Sequence, residues 1–235
     1  MNAAGIDGCP GGWVAARAEN GRVYSIDLVP HLHGLKTGYG EEIWIDMPIG
    51  LPSASAYPRK AEREARKLLK PRASSVFTVP CREVLHTEGY REANRLHREL
   101  TGQGISRQSW YLFSKIKEAE VLANRMNQTM IREAHPELVF YGLSGKTMKH
   151  SKKKAAGMGE RLDVLKAYFP DAEKQYEAAA GRWLRKEAAK DDIIDAMGLA
   201  VAATHPDLQR KTVLPEDEPD ETGLGMNISY SIRKV

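Results

Sequence analysis

Three aspartates in the segment 190–200, KDDIIDAMGLA, are the first residues whose type and spacing could do chemistry. In a helix of about 3.6 residues per turn, Asp192 and Asp195 share one face, as do Asp191 and Asp195. Aspartate at a helix start caps free N–H groups, so Asp191 is predicted to be a cap. Asp195 lies among apolar residues, where an unpaired carboxylate costs several kcal/mol. We therefore expect a cation beside Asp195.

Asp7 and Asp46 raise the same question from the strands. Each follows apolar strand residues and precedes Gly8 or Met47-Pro48, which places its carboxylate at or near a strand end. Ligands bind at strand ends in open α/β sheets, although either aspartate alone could be a turn cap. Four aspartates from three elements, without cysteine or a set of histidine partners, favour Mg²⁺ or Mn²⁺ over Zn²⁺.

Carboxylates that hold two such ions could support hydrolysis of a phosphodiester bond. One metal would generate hydroxide from water, and the other would stabilise the leaving oxygen. In this hypothesis Asp7 bridges both ions, while Asp46, Asp192 and Asp195 complete their coordination. The same four aspartates are thus the predicted catalytic and metal-binding residues.

The segment 131–137, IREAHPE, contributes two further catalytic candidates. Glu133 and His135 are two residues apart on a predicted strand and are expected to project to the same face. If that face looks at the metals, Glu133 could be a ligand and His135 could orient or deprotonate the water. The alternative is that His135 is a hydrogen-bonded histidine at a strand end.

Basic residues in two segments predict a polyanionic partner such as nucleic acid. The segment 59–72 carries seven basic groups against two acidic ones, and HSKKKAAGMGER places three lysines before a predicted helix. Such groups could bind phosphates, or they could simply form solvated faces. The residues predicted to bind nucleic acid are Arg59, Arg63, Arg66, Lys152, Lys153, Lys154 and Arg161.

The charge and composition bound the class of protein. The net charge of +4 includes the acidic run EDEPDE at 216–221, which is expected to be a solvated, mobile tail. The two cysteines, Cys9 and Cys81, lack metal-ligand spacing and argue against structural zinc. The chain shows neither an export signal nor an apolar run long enough to span a membrane, so a soluble cytoplasmic protein is expected.

The order of predicted elements indicates an α/β fold. Three short strands with tight connections begin the chain, a fourth buried strand lies at 43–47, and a fifth is expected within 128–138. Helices are predicted at 58–70, 89–100, 108–126, 159–169, 171–180 and 185–205. This order is that of the RNase H-like fold, with a mixed five-stranded sheet flanked by helices. We predict one domain at 1–210, a helical insertion at 53–126 and a tail at 211–235.

Several motifs resemble one known family. They are GIDG, IDMPIGLP, RKLLKPRASSVF, LTGQGISRQSW, EAHPELVFYGLSGK and DDIIDAMGLAVAATH. Together they resemble the domain-of-unknown-function 429 family, whose members are regarded as predicted nucleases of RNase H-like fold. The resemblance implies this fold and a metal-dependent nuclease activity.

The acidic motifs are also similar to those of bacterial Holliday-junction resolvases. In that pattern an aspartate ends the first strand, a carboxylate ends the fourth, and a D-x-x-D-A helix supplies two more. Residue by residue, the pattern selects Asp7, Asp46, Asp192 and Asp195. The resolvases have glutamate where this chain has Asp46, and they lack the block at 53–126, so recognition of branched DNA is not implied.

Two other functions remain open at this point. A non-catalytic nucleic-acid-binding or adaptor protein could retain the fold, although the complete set of four aspartates argues against it. An actin-like or sugar-kinase-related phosphotransferase would share the β-meander and an IDG-like strand. Those enzymes need two such domains and usually a Ser/Thr phosphate loop, where this chain has CPGGW.

Overall fold

The fold is a central β-sheet with helices on both faces, seen in a computed structural model that describes residues 1–234. The strands are β1 (Asn2–Cys9), β2 (Gly12–Glu19), β3 (Arg22–Val29), β4 (Glu42–Ile45), β5 (Ile131–Glu133), β6 (Leu208–Thr212) and β7 (Ser229–Arg233). The helices are α1 (Lys60–Leu69), α2 (Tyr90–Thr101), α3 (Arg107–Tyr111), α4 (Phe113–Arg125), α5 (Pro136–Ser144), α6 (Ala155–Lys166), α7 (Ala172–Ala180) and α8 (Lys190–Thr204).

The main sheet has five strands in the order β3-β2-β1-β4-β5. The first three strands are antiparallel, and β4 and β5 then continue the sheet in parallel with β1. This arrangement confirms the predicted RNase H-like architecture. Among the described helices, none is long and apolar enough to cross a membrane.

Side-chain alternation along the strands divides the core into two layers. Trp44 of β4 faces the layer formed with α5 to α8, whereas its neighbours Ile43 and Ile45 face the layer formed with the helical block. Along β1, Ala4 and Ile6 likewise face the helical block. Odd-numbered positions of β1 therefore point toward α8, and so do even-numbered positions of β4.

Gly5 allows β1 and α8 to approach each other closely. A Cβ atom at this position would overlap the carbonyl oxygen of Ala196 and the amide nitrogen of Ala200. Both groups belong to the helix backbone, which cannot move aside as a flexible side chain could. The absence of a side chain at Gly5 thus brings the aspartates of α8 against those of the sheet.

We expect Gly5→Ala to destabilise the fold by about 3 kcal/mol, because α8 must shift away from the sheet. Gly8→Ala is the matched control, since a Cβ there would meet only the flexible side chain of Lys115. Urea denaturation of both variants measures the difference. Equal stability of the two variants would show that the close contact is not required.

Most predicted helices are present, with two differences in the middle of the chain. The helix expected at 108–126 is divided into α3 and α4. The strand expected within 128–138 ends at Glu133, and α5 begins at Pro136. Proline favours the first position of a helix, where its missing N–H is not needed, so this boundary has a local cause.

The C-terminal segment differs from the predicted mobile tail. Strands β6 and β7 pair as an antiparallel two-stranded sheet. The side chain of Asp220 is fully buried, accepts a hydrogen bond from the Leu51 amide at 2.9 Å and pairs with Arg82. The prediction of a solvated tail is therefore wrong for Asp220, because the Arg82 guanidinium and backbone N–H groups satisfy its carboxylate inside the fold. The other acidic residues of the run are exposed, as that prediction expects; they are Glu216, Asp217, Glu218 and Glu221.

Candidate active site

Asp7 and Asp46 are neighbours because β1 and β4 are parallel and in register. Ile6 pairs with Ile45, and the amide of Asp46 donates a hydrogen bond to the Ile6 carbonyl at 2.8 Å. Asp7 directly follows Ile6, and Asp46 directly follows Ile45. Both aspartates therefore lie side by side on the face of the sheet that packs against α8. Asp7 is buried and Asp46 is half-buried.

Helix α8 presents its two predicted metal ligands, Asp192 and Asp195, differently. Asp195 is fully buried, as its apolar surroundings predicted. Asp192 is half-buried, and its Oδ2 accepts a hydrogen bond from the Ala189 amide at 2.9 Å. The capping role predicted for Asp191 thus belongs to Asp192, which lies one residue further into the first turn and can reach back to the residue before the helix.

The cation expected beside Asp195 is the ammonium group of Lys152. This lysine precedes α6 and donates a hydrogen bond to Asp195 Oδ2. Its side chain is 31% exposed, so it reaches the buried carboxylates from the surface. Burial acts to lower the pKa of Lys152, but Asp195, Asp7 and Asp46 outweigh it and raise that pKa.

Neighbouring carboxylates raise the pKa values of Asp7, Asp192 and Asp195, which shows that these groups belong to one electrostatic cluster. Burial is the largest cause of the raised pKa of Asp7, and Asp46, Asp195 and Asp192 add to it. Burial also raises the pKa of Asp195, against the effect of Lys152. Asp192 is raised to a pKa of about 6, chiefly by burial. Such clustered shifts are typical of functional sites.

The donor set of this cluster fits a hard divalent cation in its chemistry. All four side chains offer carboxylate oxygens, and Asp195 Oδ1 is buried without a hydrogen-bond partner. The four carboxylates are not arranged as a complete metal-coordination site. Residues 1–234 contain no group of three or more His, Cys, Asp or Glu side chains in a metal-holding geometry. Lys152 supplies the positive charge in this arrangement.

The amino-acid sequence matches one family model over nearly its whole length. Residues 5–220 match the family described as "Protein of unknown function (DUF429)". The chain belongs to the DUF429 family. Comparisons with curated proteins and with solved structures found no significant match. The matched region of this DUF429 chain contains all four aspartates and Lys152.

Glu133 does not join the aspartates, contrary to the expectation that it faces the metals. It is in register with Ile45 of β4 and shares the face of Ile131, opposite to that of Asp46. There it accepts hydrogen bonds from the Arg59 guanidinium and, at 3.0 Å, from the Ile49 amide. The strand register therefore assigns Glu133 to a structural ion pair.

Arg59 is the partner of Glu133 and is not available to nucleic acid. It is buried and binds both Glu133 and Glu62. Burial acts to lower its pKa, but Glu133 and Glu62 outweigh this effect and raise it. The prediction that Arg59 binds phosphate is wrong, because Glu62 of α1 and Glu133 of β5 hold the buried guanidinium inside the fold.

We expect Arg59→Met to destabilise the fold by about 3 to 5 kcal/mol, since it leaves two buried glutamates without a cation. Arg63→Met is the control, because Arg63 is exposed on α1, the helix that begins directly after Arg59, and should change stability by less than about 0.5 kcal/mol. Chemical denaturation of both variants gives the comparison. A similar small change in both would mean that the buried ion pair is not needed.

The other predicted phosphate-binding residues differ in how far their side chains are exposed to solvent. Arg161 is buried against Glu137, so its predicted role in nucleic-acid binding is also wrong. Arg66 is half-buried and donates to the Val76 carbonyl and to Thr78. The exposed members are Arg63, Lys153 and Lys154, and only Lys153 lines the cleft beside Asp192.

His135 lies near Asp46 at the end of the sheet. It precedes α5, and its Nε2 is 3.2 Å from the Ser75 carbonyl oxygen. Its Nδ1 is buried without a hydrogen-bond partner, and both His135 and Asp46 line one small cavity. His135 therefore combines the predicted strand-end contact with a free ring nitrogen, and its role in activating water stays a prediction.

Sequence reasoning missed the groups that surround the approach to this DUF429 site. Lys152 was predicted as a phosphate ligand, whereas it pairs with Asp195 across 43 residues of sequence. Lys115, Trp183, Arg185 and Lys190 line the cleft next to Asp192. The run GRWLRK at 181–186 carried a signal, since it places an aromatic ring between basic residues.

Proposed function

We propose that this protein is a divalent-metal-dependent nuclease that hydrolyses phosphodiester bonds of nucleic acid with Mg²⁺ or Mn²⁺. The observation that carries the proposal is the cluster of Asp7, Asp46, Asp192 and Asp195. Burying several mutually repelling carboxylates costs free energy, and a fold that served only stability would use apolar side chains instead. Binding of positive charge is the function that best explains this cost.

The four aspartates would hold the metal from three elements of the fold. Asp7 and Asp46 extend from adjacent strands, whereas Asp195 extends from a buried turn of α8. The Ala189 amide orients Asp192 through one carboxylate oxygen and leaves the other for an ion. A bound divalent ion would supply Lewis acidity, which lowers the pKa of water and stabilises a leaving oxygen.

The remaining residues of the site would control access and charge. Burial around Asp7 and Asp195 limits bulk water, which strengthens electrostatic interactions at the site. Lys152 would leave Asp195 when a metal ion binds, and its partly exposed side chain would then be able to contact a substrate phosphate. His135 remains the candidate for orienting or deprotonating the attacking water.

The test is a panel of labelled single-stranded and duplex DNA, RNA and hybrid substrates, incubated with Mg²⁺ or Mn²⁺. We expect metal-dependent product with at least one substrate and no product with chelator. The Asp7→Asn protein, prepared in the same way, controls for a contaminating nuclease. Failure to cleave any member of the panel would contradict the proposal.

A non-catalytic nucleic-acid-binding protein is the second candidate. The ion pair between Lys152 and Asp195 favours it, because that pair neutralises part of the cluster without a metal. This candidate predicts tight, salt-sensitive binding of nucleic acid with no product after long incubation with Mn²⁺. The nuclease proposal predicts product under the same conditions.

A further inference from the structure

A cleft of about 660 Å³ opens directly beside the aspartate cluster. Its lining includes Gly8 and Cys9 at the end of β1 and Asp191 and Asp192 at the start of α8. Its volume lies within the range of about 300 to 1,000 Å³ that is common for small-ligand sites. The cleft is therefore large enough for one or two nucleotides next to Asp192.

Four basic side chains from separate elements line this cleft. They are Lys115 of α4, Lys153 before α6, Arg185 after α7 and Lys190 of α8. Lys153, Arg185 and Lys190 are exposed. None of these three forms an ion pair with another residue in the part of the chain from 1 to 234. They outnumber the two carboxylates in the lining, Asp191 and Asp192, so the cleft favours an anionic ligand.

Lys115 is held in place by contacts with β2. Its ammonium donates a hydrogen bond to the Gly12 carbonyl at 2.5 Å and lies 4.4 Å from the centre of the Trp13 ring. Burial lowers the pKa of Lys115, against the effects of Cys9 and Glu118. The other three cations have no such anchor and can adjust to a ligand.

An aromatic ring completes the lining. Trp183 is half-buried, and the Arg182 guanidinium lies 4.6 Å from its ring centre. An indole among basic groups is the combination with which proteins bind single-stranded nucleic acid, because the ring stacks on a base while the cations bind the backbone. Bases within a duplex are already stacked on their neighbours and cannot offer a face to Trp183 without being extruded.

We propose that this cleft binds unpaired nucleotides of a single-stranded nucleic acid, with a base on Trp183 and backbone phosphates on Arg185, Lys190 and Lys153. This inference rests on the proposed nuclease function, since it makes the cleft the path by which a strand reaches the aspartates. It narrows the substrate class to single strands, or to unpaired segments and ends. Free nucleotides share the same chemistry but lack the additional phosphates that span the cleft.

The test is fluorescence anisotropy with a labelled ten-nucleotide single strand and its duplex, in chelator, on the Asp7→Asn protein. We expect the single strand to bind more tightly than the duplex. Arg185→Glu and Lys190→Glu should each weaken binding about tenfold and reduce its salt dependence. Trp183→Ala should also weaken it about tenfold, and Trp183→Phe should retain most of the affinity.

The control substitutions reverse charge elsewhere on the surface. Arg91→Glu on α2 and Lys174→Glu on α7 alter exposed residues outside the cleft and should change affinity by less than about twofold. Unchanged binding in the Arg185, Lys190 and Trp183 variants would overturn the proposal. Tighter binding of the duplex would overturn it as well, as would displacement of the strand by a mononucleotide at equal concentration.

The binding assay can fail independently of the nuclease proposal. Binding is measured without metal and on a variant that lacks Asp7, so it does not require catalysis. If the cleft substitutions left binding unchanged while the parent protein showed metal-dependent cleavage, only the proposal that the cleft binds single strands would be rejected. Cleft-dependent binding without cleavage of any substrate would reject the nuclease and leave a single-strand-binding protein.

Discussion

Asp195→Asn and Asp7→Asn are each expected to lower metal-dependent cleavage by about a thousandfold or more. A metal ion stabilises the transition state by several kcal/mol, and each 1.36 kcal/mol corresponds to about a tenfold change in rate. The amide of asparagine keeps the shape of the side chain but lacks the negative charge that retains the ion. The measurement is the initial rate on the best substrate of the panel with Mg²⁺ and with Mn²⁺.

The same substitutions should leave the metal-free fold intact. Burial raises the pKa of both Asp7 and Asp195, so ionisation of either group opposes folding at neutral pH. A neutral amide removes that cost, and the Lys152 ammonium, whose side chain is 31% exposed, can turn to solvent when Asp195 loses its charge. We therefore expect stability within about 1 kcal/mol of the parent protein. Loss of activity with retained stability would separate a role in metal binding from a structural role.

Asp191→Asn is the matched control for both variants. Asp191 is the neighbour of Asp192 on α8 and is half-buried, but it is not one of the predicted metal ligands. Its substitution should change the cleavage rate by no more than a few-fold. Retained activity in purified Asp7→Asn and Asp195→Asn proteins, at the level of Asp191→Asn, would reject the two-metal hypothesis.

Lys152→Met should destabilise the metal-free protein by about 3 kcal/mol. The ammonium of Lys152 is the hydrogen-bonding partner of the fully buried Asp195 carboxylate, and it also attracts Asp7 and Asp46. Removing one partner of a buried ion pair leaves an uncompensated charge. This is usually more costly than replacing both partners by apolar side chains. Chemical denaturation in chelator measures the loss.

Metal ions should reverse this loss. Without Lys152 no ammonium competes for the carboxylates, so Mn²⁺ should stabilise Lys152→Met more than it stabilises the parent protein. A ligand at one hundred times its dissociation constant adds about 2.7 kcal/mol of stability, which thermal unfolding detects easily. Calorimetric titration of Mn²⁺ gives the two affinities directly.

Lys153→Met controls for the removal of a lysine from this segment. Lys153 is the next residue and is exposed, so its loss should change stability by less than about 0.5 kcal/mol. If Lys152→Met were as stable as Lys153→Met, the buried ion pair would contribute nothing. If Mn²⁺ bound more weakly to Lys152→Met than to the parent, Lys152 would not compete with the metal.

The sequence by itself determined the architecture and the residues around which the site is built. Hydrophobic alternation and tight turns are local signals, and they were sufficient for the three-stranded meander, β4 and every helical segment except α5, whose first residues were expected to continue a strand. Asp195 could be recognised because a carboxylate within an apolar helix has a free-energy cost that its own neighbours reveal. Asp7 and Asp46 followed from their positions before Gly8 and before Met47-Pro48.

Only the tertiary structure decided which charges meet. Glu133 and Asp46 belong to neighbouring strands, yet the β4–β5 register directs them to opposite faces. Arg59 looked like part of an exposed basic stripe until the packing of α1 enclosed it with Glu133, and Asp220 looked solvated until Arg82 covered it. Lys152 reaches Asp195 from 43 residues away. A charge–charge contact depends on strand register and on how helices close over the sheet, and neither is encoded in the spacing of nearby residues.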